Sequence, residues 1–499
     1  MKRILLSIIT VCLAGIMSVS AQTVDGRNFG IDGFAAYAGT PGTNHYLAGG
    51  TTGGQGGKVV YADNFSQLQA YLQSTNPYII LVDHDIAPTI KCYVNNLNEG
   101  KLCEKQDGSE GVEDTYGERI MIASNKTLIG ITDAEGRAPL FSHITFVMQC
   151  TSNVIIRNCT FTLTGVPVLK SGENKIVAWR NGAQKEVGDP DCIGIQADKN
   201  SASTDWGGHI WVDHCSFYNT GEGTAKDRYD GLLDCKNNVK WVTFSYNHFY
   251  EHNKACLCGK GNSDNFDRTM SVHHNFYENI AGSRLPLQRF GHMHYCNNYQ
   301  LNCEDGYDIR KDAIGYVDAC YFENTKTPVH GKTSDGGSVS VRKDEGYDII
   351  YKTCDNLLEG YSNIDGYKSK VTDMYTTDWY PTKDYPDYGL NQIDKTADVP
   401  EILKKYAGAG KIEIWKTYTD AIPAVDIDEF DKAIKSPGPM SEGVFDQNGK
   451  KMNGATTGVQ TICITTNNNA GRVVKYVYNG QLVIEKNGKR YTATGILMK

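Results

Sequence analysis

The feature that most limits how this chain can fold is a short pattern that recurs along its middle. Six windows carry it: Val154–Phe161, Ile210–Phe217, Val242–Phe249, Met270–Tyr277, Met293–Tyr299 and Gly315–Phe322. Each alternates apolar and polar residues, the mark of a strand with one buried face. The sixth position is always Asn or Cys, at 159, 215, 247, 275, 298 and 320. The intervals are 56, 32, 28, 23 and 22 residues. The shortest suit one bare turn of a coil of strands, and the longer ones suit turns carrying loop insertions. Asparagines stacked at an inward bend would bond one another and the backbone along the coil axis. A propeller or a sandwich would show hairpin turns and more even spacing. The pattern therefore predicts an all-β chain, a right-handed single-stranded parallel β-helix.

The ends of such a coil need cover, because open edges pair with other chains. A short N-terminal capping helix is expected after Asp63, with Phe65, Leu68, Tyr71 and Leu72 on its apolar face, followed by a buried strand at Tyr78–Val82. The glycine-rich stretch from Gly33 to Gly57 lacks the Gly-Lys-Ser/Thr ending of a phosphate loop and reads as turns. After Phe322 the pattern loosens, with a polar stretch over Asn324–Gly346. Tyr375–Tyr388 is rich in Tyr, Trp and Pro; these rings could stack on sugars, but packing against the coil is the simpler expectation. From about Ser436 the composition shifts, and Val473–Tyr478 and Gln481–Lys486 around Asn479-Gly480 read as a hairpin. The expected organisation is a signal peptide over 1–21, a β-helix domain over 22–435 and a small C-terminal β appendage over 436–499.

Met1-Lys2-Arg3, the apolar run Ile4–Val19, and Ala21 before Gln22 predict cleavage after Ala21 and export, to the periplasm, the medium or the cell surface. Fourteen of the fifteen cysteines then enter an oxidising compartment. Cys92 and Cys103 flank a polar loop and could pair; several others sit inside strands as small buried hydrophobes. No spacing resembles a zinc site. The net charge is −8, and no basic stripe runs along the chain, which argues against a nucleic-acid partner. An anionic substrate would need a local cationic cluster working against that global charge.

Such a cluster falls between residues 189 and 289. Asp189, Asp191, Asp230 and Asp234 supply up to four carboxylates, then come Lys254, Arg284 and Arg289. Acidic turns are commonly solvated caps, but oxygen donors without His or Cys suit Ca²⁺ over a transition metal. In a straight strand Asp230 and Asp234 would lie roughly 13 Å apart, so sharing an ion requires a bend, and Gly231 is where the chain could make one. Two arginines and a lysine on successive coils beside the acids suit a carboxylate-bearing substrate held partly through metal.

Through these residues the chain resembles the polysaccharide lyase family 1 pectate lyases. The matching stretches are Trp211–His214, Asp230–Asp234, Val242–Asn247, Lys254, Val272–Asn275 and Arg284–Gly291, with Thr51–Gly54 and Ser124–Gly130 in support. The resemblance covers roughly residues 30 to 330. It implies a right-handed parallel β-helix that cleaves α-1,4-linked polygalacturonate by β-elimination with Ca²⁺. A monomer is expected, and no apolar run after the leader is long enough to span a bilayer. By that resemblance Asp191, Asp230 and Asp234 are the primary calcium ligands and Asp189 an additional one. Lys254 and Arg289 would bind substrate, and Arg284 would be the base that takes the C5 proton. Arginine is a weak base at a pKa of about 12.5, so Lys254, Arg289, the metal and a desolvated site are expected to push its proton off. Cys256 and Cys258, beside Lys254, stand where relatives carry other small or polar residues. The alternatives are a pectin lyase acting on methyl-esterified polymer, a hydrolase with paired carboxylates, and a polysaccharide-binding protein without catalysis.

Overall fold

A computed structural model of the chain describes residues 23–413 apart from 89–90, 95–101, 104–111, 116–117, 167–176, 181–182, 187–189, 199–205, 221–228, 359–369 and 373, together with strands between 473 and 492. The signal-peptide expectation, the Cys92–Cys103 pairing, Asp189 and most of the insertions after Val166 and Asn200 lie outside the described residues.

Successive strands join three long parallel sheets in rotation, which makes the body a parallel β-helix. The longest sheet has eleven strands and the other two have eight each. The first residues of the six repeat windows stand in register across the longest sheet: Val154 pairs with Ile210, Ile210 with Val242, Val242 with Met270, Met270 with Met293, and Met293 with Gly315. One window is therefore one rung. The coil runs on past Phe322, since Ser338–Val341 and Tyr375–Thr376 extend this sheet. The loosening of the pattern reflects shorter strands between longer loops, not an end to the stacking.

The ladder at the sixth position forms where asparagine is present. Asn275 Oδ1 accepts from both the backbone N–H and Nδ2 of Asn247, each at 3.0 Å, and Asn298 Oδ1 accepts from Asn275 in the same way at 2.9 and 3.1 Å. The free amide hydrogens go to carbonyls inside the coil, Asn298 Nδ2 reaching Val272 O at 2.7 Å. The residue before each ladder position is left-handed: Asn158, His214, Tyr246, His274, Asn297 and Ala319 have φ between 47° and 56°. That conformation turns the corner between two sheets, and the ladder amides satisfy the backbone that the corner exposes. Inside, Phe141, Phe161, Phe217, Phe249 and Tyr277 stack at 4.9–5.5 Å, one ring per rung. Each such pair contributes about 0.5–1.5 kcal/mol beyond its burial.

The capping helix spans Phe65–Gln73 and buries Phe65, Leu68, Tyr71 and Leu72. Its N-cap is Asn64 and not the expected Asp63: Asn64 Oδ1 accepts from Gln67 N, and Gln67 Oε1 accepts from Asp63 N at 2.7 Å. The two bonds resemble a capping box, except that Gln67 reaches the N–H of the residue before the cap, and they place the cap one residue later. The glycine-rich segment opens with one helical turn, Gly33–Ala36, where the sequence predicts turns alone, and continues as turns; Phe34 N and Ala35 N donate to Ser271 Oγ and Thr243 Oγ1 on the longest sheet. Tyr385 and Tyr388 pack there against Phe34, so these rings of the aromatic stretch are packing groups. Val473–Tyr478 and Gln481–Lys486 pair as an antiparallel hairpin, extended by Lys489–Thr492.

The nine cysteines from Cys159 to Cys320 are buried thiols outside any disulfide. Cys256 and Cys258 face the core, where burial pushes both thiols well up, so neither enters the groove beside Lys254.

Candidate active site

The acids meet on the second of the eight-stranded sheets, whose consecutive rungs include Ile193–Gln196, Leu233–Lys236, Leu257–Cys258 and Leu287–Arg289. Two backbone bonds dock the acidic turns on each other before those strands begin: Asp230 N donates to Pro190 O at 3.2 Å, and Cys192 N to Gly231 O at 3.1 Å. Gly231 sits between two bends of the chain, at Tyr229 and Leu232. A Cβ there would lie 2.0 Å from Asp234 Oδ1, so the Asp234 carboxylate folds back over a position that tolerates no side chain. Gly231 N also donates to Asp191 Oδ1 at 2.7 Å. One carboxylate oxygen from each of Asp191, Asp230 and Asp234 lies within 4.8 Å of the others. The two bends and the folded-back Asp234 side chain together remove the separation that an extended strand would impose.

Cationic side chains close around the acids. Arg284 Nη1 donates to Asp230 Oδ1 at 2.8 Å, and Lys254 Nζ lies 3.1 Å from the same oxygen. Lys236 bridges the other two, 3.0 Å from Asp191 Oδ2 and 2.8 Å from Asp234 Oδ2. Asp234 is fully buried, and its Oδ1 accepts from Leu257 N at 2.8 Å. Sequence reasoning missed Lys236, although strand parity could have found it: it stands two residues after Asp234 on one strand and so shares its face. Arg289 is held at its own rung, Nη1 donating to Gly259 O at 2.8 Å. Trp211–His214 takes no part here; it lies on the longest sheet, where Asp213 is bonded to Arg157, His214 and Ser245.

The electrostatics follow from crowding. Burial and the neighbouring Asp234 push Asp191 up to about 7. Asp230 goes the other way: burial opposes its charge, but Arg284 and Lys254 hold it down at about 2. Burial also opposes the charge on Arg284, yet Asp234 and Asp230 outweigh it and leave the guanidinium raised. The acids that face it thus outweigh the push that burial exerts toward a neutral arginine. Arg289 is lowered, by burial first and then by Arg310. Three hard oxygen donors in reach of one point, one of them carrying a raised carboxyl, fit a divalent cation of the calcium type.

Comparison with known proteins follows this geometry. A family model described as pectate lyase matches residues 5–412. A pectate trisaccharide-lyase of Bacillus licheniformis is 29% identical over 438 residues, covering 83% of this chain and 99% of that protein. A probable pectate lyase B of Aspergillus flavus is 30% identical over 282 residues, covering 55% and 66%. A thermostable pectate lyase of known structure superposes with a TM-score of 0.50 at 21% identity, over 76% of this chain and 97% of that one, and shares the fold.

Proposed function

The chain belongs to the pectate lyase family and is a lyase, and from that premise we propose that it cleaves α-1,4-linked polygalacturonate by calcium-dependent β-elimination, releasing unsaturated oligogalacturonides. The observation that carries this reading is the contact of Asp230 with Arg284 inside the triad of Asp191, Asp230 and Asp234. In the elimination the C5–H and C4–O bonds break, a C4–C5 double bond forms, and the departing oxygen takes a proton from water.

Charge arithmetic supports a role for metal. Asp191, Asp230 and Asp234 face Lys236, Lys254 and Arg284, so the cluster is near neutral and offers a polyanion little net attraction. A hard divalent ion held by the three aspartates, with Asp189 as a further ligand, would neutralise the uronate carboxylate and cancel the field that keeps Arg284 protonated. Lys254 and Arg289 would hold substrate carboxylate and hydroxyl groups, while Lys236 fixes the spacing of Asp191 and Asp234. Arg284 would then take the C5 proton, its charge opposed by burial and no longer favoured by Asp230.

The acid cluster disfavours a pectin lyase, because an uncharged methyl ester needs no metal bridge. The names of the bacterial relatives make an unsaturated trisaccharide the first product to look for. Export is supported by the leader sequence, and among the described residues no helix is long and apolar enough to cross a membrane. The test is incubation with polygalacturonate while ultraviolet absorbance of the unsaturated product is followed. Absorbance that rises with calcium, stops with chelator and returns on calcium addition is expected. Reducing ends without absorbance, or absorbance that survives thorough metal removal, would refute the proposal.

A further inference from the structure

A second cluster lies on a different wall of the coil, on the outer face of the longest sheet beneath the segment that carries Tyr388. His294 and Cys296 sit two residues apart on the strand His292–Cys296 and share a face. Asp318 pairs directly with Cys296 on the next rung. All three are buried, and one donor atom from each lies within 4.8 Å of the others.

Three details mark this cluster as more than a buried polar contact. Asp318 is 2% exposed, yet its carboxylate has only long partners: His294 Nε2 at 3.4 Å and Arg342 Nη1 at 3.4 Å. Arg342 is shared, since its Nε also donates to Asp344 Oδ2 at 2.7 Å. A buried carboxylate held this loosely is costly. The imidazole is also committed on its far side, with Nδ1 2.6 Å from Tyr388 Oη, and Tyr388 Oη in turn lies 3.1 Å from Ser271 Oγ. With the proton on Nδ1 and donated to Tyr388, the Nε2 lone pair points toward Asp318. A hydrogen bond on the far ring nitrogen, as here to Tyr388, is what orients a ligating histidine. The Cys296 thiol, finally, has only a 3.6 Å contact with Asn297 Oδ1.

We propose that His294, Cys296 and Asp318 form a structural site for a borderline divalent transition metal, zinc in the first instance, with water as fourth ligand. The mixed nitrogen, sulfur and oxygen set suits zinc rather than calcium. A thiolate and a carboxylate balance the charge of a dication, while Asp344 offsets the nearby Arg342 guanidinium. Tetrahedral bonds of about 2.0–2.3 Å place donors roughly 3.3–3.8 Å apart, so the side chains close by about 1 Å on binding. The ion would tie two adjacent rungs together under Tyr388. The spacing is invisible to a linear search, because Cys296 and Asp318 are joined by one turn of the coil, not by a local motif.

The test uses the full chain, stripped with chelator and dialysed against zinc, with metal counted per chain by mass spectrometry. Cobalt(II) serves as the optical probe through its thiolate charge-transfer band. One tight zinc per chain and a cobalt band are expected. Cys296→Ser should abolish the band and weaken zinc binding at least about a hundredfold, and Asp318→Asn should weaken it comparably. Tyr388→Phe should weaken it about ten- to a hundredfold with the band retained. Cys354→Ser, at a buried thiol outside the cluster, should change neither, and lyase activity in excess calcium should persist in Cys296→Ser. If Cys296→Ser does not fold, the wild-type stoichiometry and the Tyr388→Phe affinity still decide. Absence of tight zinc on the wild type, or a cobalt band that survives in Cys296→Ser, would overturn the assignment.

Discussion

At the scale of single residues, the site depends on how three carboxylates tolerate one another. Asp191, at about 7, must lose its proton before it can hold a cation. Calcium affinity should therefore be at its plateau above pH 7 and fall by about tenfold per pH unit below it, as one proton competes with the ion. Titration calorimetry between pH 5.5 and 8.5 would measure this, and an affinity flat across that range would contradict it. Asp234→Ala should act on two properties at once. Calcium binding weakens, and because Leu257 N and Lys236 lose a buried partner, stability falls by about 3 kcal/mol in chemical denaturation. Unchanged stability in that variant would mean that Asp234 serves the ion alone. The sequence makes Asp191, Asp230, Asp234, Lys254 and Arg284 readable as a group because residue type and rung spacing coincide. It does not reveal that the acids raise the proton affinity of Arg284, since the sign depends on which charges lie closest, and Asp234 and Asp230 decide it together.

At the scale of elements, the ladder and its left-handed corners carry the coil. Asn275 is the best single test. Its Oδ1 accepts two bonds from Asn247, and its Nδ2 donates to Phe244 O at 2.8 Å. Asn275→Leu keeps the volume but leaves the Asn247 N–H buried and unpaired, so a loss of about 3 kcal/mol is expected in denaturant unfolding. A loss below 1 kcal/mol would show that the ladder is dispensable. The ladder was legible because one position alternates between two residue types while its neighbours drift. The left-handed residues before it were not, because Asn, His, Tyr and Ala fill that position without a shared chemical signal. Asn64 was missed as the helix cap for a similar reason: Asp63 and Asn64 are both good caps, and only the reach of Gln67 selects between them.

At the scale of the whole molecule, the coil brings together what the chain separates. A net charge of −8 sets the protein against a polyanionic substrate, and the groove answers with a nearly neutral cluster that a dication turns positive. The repeat period alone brings the 284 guanidinium to the 230 carboxylate across 54 residues, and the 318 carboxylate to the 296 thiol across 22. The first juxtaposition could be anticipated by laying the repeats over one another. The second could not, because nothing in the pattern says which outward positions the later chain covers. The most direct measurement of the central claim is a crystal structure of Arg284→Lys with calcium and an oligogalacturonate at alkaline pH. The account predicts an ion shared by Asp191, Asp230, Asp234 and a uronate carboxylate, with C5–H of that sugar directed at residue 284. A sugar bound with C5 turned away from residue 284, or an ion held apart from the three aspartates, would contradict it.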